Sequence, residues 1–277
     1  MPKDALRVLE ETSRTFYLSI QRLPKGLQEA VTASYLCMRA IDEIEDHPTL
    51  KPGIKADLLE GIAKLLQAQT SVEDFDHTRF AELLAPHKHD LPEVTLRFSE
   101  WACYAPAFIA PRVWEAASAM AGRMRTWVLN GFKVSTRFDL DRYTYSVAGA
   151  VGLLLCDLWA WFENVQIHRS LAIQFGRGLQ SVNILRNRKE DLKRGVDFYP
   201  ENWTDQDMQD YARHHLGKFD EYLPQLAATT FADSVNIPRA LAYATLDALA
   251  KGREKLSRAE VIKILHNLER QKVSGQV

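Results

Sequence analysis

Tyr35, Arg39, Asp42 and Asp46 follow one another at spacings of four, three and four. On a helix turning 100° per residue they fall within about 60° of arc and form one polar stripe. Leu36, Ala40, Ile41 and Ile44 occupy the other faces, so the helix is apolar enough to be largely buried. The run IDEIEDHP also fits an acidic helix end before a proline turn, with Asp46 and His47 solvated. Acidic side chains at a helix C-terminus are opposed by the helix dipole, however, and a bound cation would supply the missing stabilisation.

A later segment, IQFGRGLQSVNILRNRKEDLKRG, repeats the design. Gln180, Asn183, Asn187 and Asp191 are spaced three, four and four, a stripe about 80° wide, with Leu179, Val182, Ile184 and Leu185 off it. Amides and a carboxylate in such a helix must pair with each other or line a wet cavity, because burying them unpaired is expensive. An interhelical hydrogen-bond network and a ligand site both satisfy that condition. Carboxylates on two opposed helices can hold Mg²⁺, which commonly bridges to phosphate.

Arg14, Arg39, Arg186 and Arg188 lie on or beside the two stripes. Each taken singly fits a surface or salt-bridge residue. As a set, with Mg²⁺, they match what a diphosphate requires, since its oxygens must be neutralised before a C–O bond can ionise. Between the stripes, Tyr143, Tyr145, Val147, Ala148, Gly149, Val151 and Gly152 place small residues along an apolar helix. Gly149 and Gly152 weaken that helix unless they open room for a hydrocarbon tail or allow close helix packing, and the pattern accommodates either.

The elements that must position these groups are helical. Thirteen glycines and eleven prolines cluster between long segments of helical period, with none of the short regular spacing of a β protein. The pattern predicts helices over 3–19, 25–46, 54–67, 75–85, 93–105, 112–128, 139–162, 167–193, 204–217, 221–230, 238–251 and 258–270. No linker, low-complexity tract or solenoid-period repeat interrupts the chain, so one all-α domain over 1–277 is the simplest account.

Composition excludes several classes. With 277 residues, 46% hydrophobic and 26% charged, the chain is neither collagen-like nor disordered. Thirty-five basic residues against 36 acidic give a net charge of -1, which supplies no global field for nucleic acid. Cys37, Cys103 and Cys156 read as reduced core residues, consistent with a cytoplasmic location. The N-terminus MPKDALRVLEETSRTF develops no secretory signal, and the polar end LERQKVSGQV offers no anchor. The most apolar run, residues 145–162, approaches membrane length but carries Asp157, which favours a buried core helix. His87 with His89, and His214 with His215, lack metal-ligand spacing. No P-loop, dinucleotide fingerprint or nucleophile elbow is present in the sequence.

The chain resembles the squalene and phytoene synthase family, the head-to-head branch of the isoprenoid synthases. SRTFYLSIQRLP (13–24) is similar to the family's N-terminal substrate segment, and YLCMRAIDEIED (35–46) to its first aspartate-rich motif. YTYSVAGAVG (143–152) resembles its tyrosine and small-residue helix, and QSVNILRNRKEDLKRGVDFYP (180–200) its second aspartate-rich motif. The resemblance implies a single-domain isoprenoid-synthase helical bundle with a central cavity, in which Mg²⁺ on two acidic walls binds a small-molecule prenyl diphosphate. Loose membrane association for an apolar product follows from the same resemblance.

Carried across by position, Asp42 and Asp46 match the metal-binding acids of the first motif, with Glu43 where many members have a second Asp. Tyr35 and Arg39 match residues near the diphosphate, and Arg14 and Thr15 fall in the N-terminal contact segment. Tyr143 matches a tyrosine near the reacting centre. Gln180, Asn183, Arg186, Glu190 and Asp191 match the second motif, and Tyr243 is set against a C-terminal tyrosine that contacts diphosphate. The resemblance thus implies Tyr143, Arg39 and Asn187 as catalytic residues and Asp42, Asp46, Asn187 and Asp191 as metal ligands.

Two departures stand out. Asn187 replaces the Asp that opens the family's second motif, giving NRKED, and an amide oxygen is a poorer Mg²⁺ ligand than a carboxylate. The family's Gly-Arg-x-Tyr-x-Pro becomes GVDFYP. Losing a ligand charge should impair a two-substrate condensation more than a single ionisation. The leading expectation is therefore hydrolysis of farnesyl diphosphate to farnesol by a Mg²⁺-dependent phosphatase. The alternatives are head-to-head condensation to squalene, dehydrosqualene or phytoene, and a silent binding protein.

Overall fold

A computed structural model describes residues 4–227 and 229–273, with the backbone alone for residues 14, 233 and 271–273. Every regular element among the described residues is helical, as the periodicity predicts. The described residues form two compact units: those within 4–133 and 157–164, and those within 134–156 and 165–273.

The first unit opens with α1 (Ala5–Thr12) and α2 (Arg14–Ile20). Periodicity predicts one helix here. Ser13 interrupts it by taking an extended backbone, from which its hydroxyl accepts the Phe16 N–H and caps α2. Then come α3 (Lys25–Glu45), α4 (Pro52–Gln67), α5 (His77–Leu84), α6 (Glu93–Leu96), α7 (Phe98–Ala102) and α8 (Ala110–Leu129). The central α3 packs on α1, α6, α7 and α8, and α4 packs on α8. Pro24 precedes α3, whose fixed φ suits the entry to a helix, and the observed start matches the predicted one.

The core of this unit is aromatic. Phe80 stacks on Phe98 with centroids 5.4 Å apart, and Phe75 lies between Phe80 and Trp114. Trp101 and Trp114 donate their indole N–H groups to Val94 O and Ala102 O, both at 2.8 Å, so their polar atoms are buried satisfied.

The second unit contains α9 (Arg137–Thr144), a π-helical turn at Tyr145–Gly149, and the start of α10 (Ala150–Glu163), whose last residues belong to the first unit. It continues through α11 (Arg169–Lys193), α12 (Asp205–Asp220), α13 (Thr230–Ala250) and α14 (Arg258–Val273). Reciprocal capping boxes, Thr136 with Asp139 and Thr204 with Asp207, start α9 and α12. The predicted helix over 221–230 is instead a short 3₁₀ turn around Pro224. The helix predicted over 238–251 begins eight residues earlier, because Thr229 caps α13 and Pro238 is carried inside it.

The small residues between the stripes serve helix packing. A Cβ on Gly176 would lie 2.5 Å from Ala148 O, and one on Gly152 would lie 2.5 Å from Ala172 O. These glycines let α11 meet the π turn and α10 backbone to backbone, so of the two readings of Gly152 close packing is the one observed. The stretch Arg137–Glu163 is apolar and long enough to cross a membrane by length and composition. Leu154, Leu158 and Trp159 in it are buried, 39% of its most apolar window is buried in all, and Asp157 accepts from Arg112 Nε at 2.6 Å. The three cysteines are free thiols, Cys37 and Cys156 buried and Cys103 half-buried.

Candidate active site

The first polar stripe lies on α3. Tyr35 is half-buried, donates its hydroxyl to Thr12 O at 3.1 Å, and has its ring 5.9 Å from that of Phe16. Burial raises its pKa. The N-terminal segment predicted to contact substrate is thereby tied to the first acidic motif through the end of α1. Thr15 sits on α2, half-buried; the side chain of Arg14 lies outside the described residues.

One turn along, Arg39 donates to Glu43 on the same face. Burial pulls the Arg39 pKa down, but Glu43, Asp42 and Tyr35 outweigh it and the guanidinium is held charged. Its Nε is buried without a hydrogen-bond partner among the described residues. Sequence comparison sets Glu43 against an acidic ligand; the structure makes it the partner that orients Arg39, a pairing its i,i+4 spacing announces.

Asp42 is half-buried and Asp46, at the C-terminal end of α3, is exposed. No hydrogen-bond donor among the described residues reaches the Asp42 carboxylate, and burial together with Asp46 and Glu43 pushes its pKa up to about 7 against the pull of Arg39. Two carboxylates one helical turn apart with an excess of negative charge favour a cation. Neighbouring His47 is not simply solvated: Nδ1 accepts the N–H groups of Thr49 and Leu50, and Nε2 lies 2.9 Å from Asp90 O.

The second stripe lies on α11 and is differently equipped. Gln180, Asn183 and Asn187 are half-buried and Arg186 is exposed. Arg186 donates to Asn183 Oδ1 at 2.8 Å and to Asn187 Oδ1 at 3.2 Å, while Asn187 donates to Asn183 Oδ1 at 3.0 Å. Asp191 is only 8% exposed and accepts from Arg194 Nη2 at 2.5 Å. Among the described residues no group of three or more acidic, histidine or cysteine side chains forms a protein-only metal cage.

Arg188 is engaged elsewhere than at a diphosphate. It donates to Asp197 Oδ2 at 3.0 Å and to Asp205 Oδ1 at 2.9 Å, with its guanidinium 3.6 Å from the centre of the Tyr199 ring. Tyr199 completes the clamp by donating its hydroxyl to Asp205 at 3.0 Å and its N–H to Asp197 at 3.1 Å. The clamp fixes the GVDFYP segment, including Phe198, which stacks on the buried ring of Tyr143. Phe198 carries no polar signal and is missed by a search for chemistry. Tyr243 donates to Asp220 Oδ2 at 2.6 Å beside Arg239, and burial with that carboxylate raises its pKa to about 12.

A model of the squalene/phytoene synthase family matches residues 9–209, a span holding both stripes and Tyr143. Squalene synthase of Schizosaccharomyces pombe is 28% identical over 94% of this chain, and this chain spans 63% of its length. That of Bos taurus is 26% identical over 95% of the chain and 68% of its own. In structure, a complex of TcSQS with E5700 aligns at TM-score 0.72 with 23% identity, covering 95% of this chain and 84% of that one. A dehydrosqualene synthase in complex with ligand aligns at 0.63 with 19% identity, covering 98% and 95%.

These relatives overturn the expectation of a farnesyl diphosphate phosphatase. The curated ones are squalene synthases, which points to the condensation alternative and a prenyltransferase-type enzyme. The expectation rested on one residue, Asn187, whose lost charge was taken to disable condensation. The local structure places Asn187 within an amide and guanidinium cluster with Asn183 and Arg186.

Proposed function

Because the chain belongs to the squalene/phytoene synthase family, we propose that it joins two prenyl diphosphates head to head, with farnesyl diphosphate as substrate. The observation that carries this reading is the family match across 9–209, which takes in both polar stripes and Tyr143 together.

In this reading the chain's own groups divide the work. Asp42 and Asp46 would hold Mg²⁺, which when bound would supply the positive charge that a departing diphosphate needs. Two carboxylates are sufficient, since Mg²⁺ is usually held by one or two protein carboxylates plus substrate phosphate and water. Arg39, kept charged and oriented by Glu43, binds diphosphate beside them. Tyr35, anchored on Thr12 O, sets the N-terminal segment with Thr15. On the second unit Arg186 is the exposed cation offered to diphosphate, positioned by Asn183 and Asn187. Tyr143, its ring stacked on Phe198, would by the family resemblance stand near the reacting carbons.

Incubation with farnesyl diphosphate and Mg²⁺, with and without NADPH, followed by mass spectrometry of the extract tests this. A C30 hydrocarbon or its C30 diphosphate precursor is the expected product. Farnesol alone, at a rate abolished by Asp42→Ala, would sink the proposal.

A further inference from the structure

The two acidic motifs differ in what already occupies their oxygens. On α3 no donor among the described residues reaches the Asp42 carboxylate, and the nearby guanidinium of Arg39 is turned to Glu43. On α11 Arg194 sits 2.5 Å from Asp191 Oδ1, and Arg186 lies on Asn187 Oδ1. Mg²⁺ needs short oxygen contacts in near-octahedral geometry and keeps several waters. A carboxylate only 8% exposed and paired with arginine has no place for a hydrated ion. Asn187 contributes no negative charge, and a guanidinium on its oxygen repels a divalent cation. Glu190 is exposed and adjacent to Asp191 in sequence, so the two point about 100° apart around the helix and do not share one ion.

We propose that α11 holds no divalent cation of its own: Arg186 and Arg194 are its resident counter-charges, and divalent cation binding is confined to the α3 acids. This rests on the prenyl diphosphate reading above and deepens it by assigning the positive charge at each motif.

Counting bound Mn²⁺ by electron paramagnetic resonance, on the intact protein with inorganic pyrophosphate as the anion, separates the cases. Wild type should bind Mn²⁺, Asp42→Asn should weaken that binding at least tenfold, and Asp191→Asn should leave number and affinity within twofold. Loss of an ion, or a tenfold weakening, on Asp191→Asn overturns the proposal. Asp191 is buried, so a second variant guards against misfolding: Arg186→Met with Asn187→Asp removes a counter-charge and adds a carboxylate. With Arg194→Met added, so that both counter-charges are gone, it should bind one additional ion, and an unchanged count in that triple variant overturns the proposal. No Mn²⁺ on wild type overturns it together with the prenyl diphosphate reading. The expected pattern without any condensed product supports the cation assignment and sinks only the reaction.

Discussion

The ring of Phe198 stacks on that of Tyr143 with centroids 4.3 Å apart and planes 18° from parallel. Tyr143 comes from α9, while Phe198 comes from the segment after α11, so the second acidic motif and the candidate catalytic tyrosine are joined by an apolar contact. Each acts on the other's position: whatever moves the GVDFYP segment moves the surface against which Tyr143 rests.

Phe198→Leu keeps most of the volume and removes the stack, worth about 1 kcal/mol beyond area burial. The expected result is a fall of about five- to tenfold in kcat for condensation, with KM for farnesyl diphosphate changed less than twofold, since no diphosphate contact is touched. Steady-state kinetics decide it, and an equal rise in KM would show that Phe198 holds substrate and not Tyr143.

Arg188→Met removes donors from Asp197 and Asp205 and the cation over Tyr199. These groups are partly exposed, so the net loss is about 1–2 kcal/mol, or a fall of about 3–6 °C in melting temperature. Arg188→Lys should recover little of it, because an ammonium cannot make the forked contact and stack at once. Thermal melts of the two variants check this, and a melting temperature equal to wild type for Arg188→Met would show that the segment is fixed by other contacts.

Much of this was legible in the amino-acid sequence, where local spacing governs the structure. The start of α3 at Lys25 and the i,i+4 sides of both stripes appear as expected, because one helix face is set by residues three and four apart. Ser13 was not legible as a break: its residue type tolerates a helix, and only the capping bond to Phe16 shows the interruption. Arg188 looked like a diphosphate ligand by adjacency to Asn187, yet its partners Asp197 and Asp205 lie 9 and 17 residues away, contributed by a loop and the next helix. The glycines were ambiguous because Cβ clearance depends on the opposing helix.

That clearance yields a prediction with an internal control. Gly176→Ala would put a Cβ 2.5 Å from Ala148 O and 2.7 Å from Ala148 C, both backbone atoms that cannot swing aside. Helix separation and loss of several kcal/mol are expected, at the upper end for single substitutions. Gly217→Ala on α12 meets nothing within 4 Å and should stabilise by up to about 1 kcal/mol through helix propensity. Urea unfolding of the two variants should move the midpoint in opposite directions, and the same sign for both would contradict the packing at α11.

His215 sets a pH dependence in the second unit. Its side chain is buried at 4% exposure, Nδ1 is paired with Gln174 Oε1, and Nε2 has no hydrogen-bond partner among the described residues. Burial, aided by Arg177, His214 and Arg137 and opposed by Asp141, lowers its pKa from 6.5 to about 4. The folded chain therefore keeps His215 neutral while the unfolded chain protonates it below about pH 6.5. Stability is fully present above that value and declines as pH falls towards about 4, by about 2 kcal/mol between pH 7.5 and pH 5. His215→Gln removes the titrating group, so its urea midpoint should fall less than that of wild type over the same interval. Parallel declines for the two proteins would show that the imidazole is protonated in the fold, contrary to the burial observed.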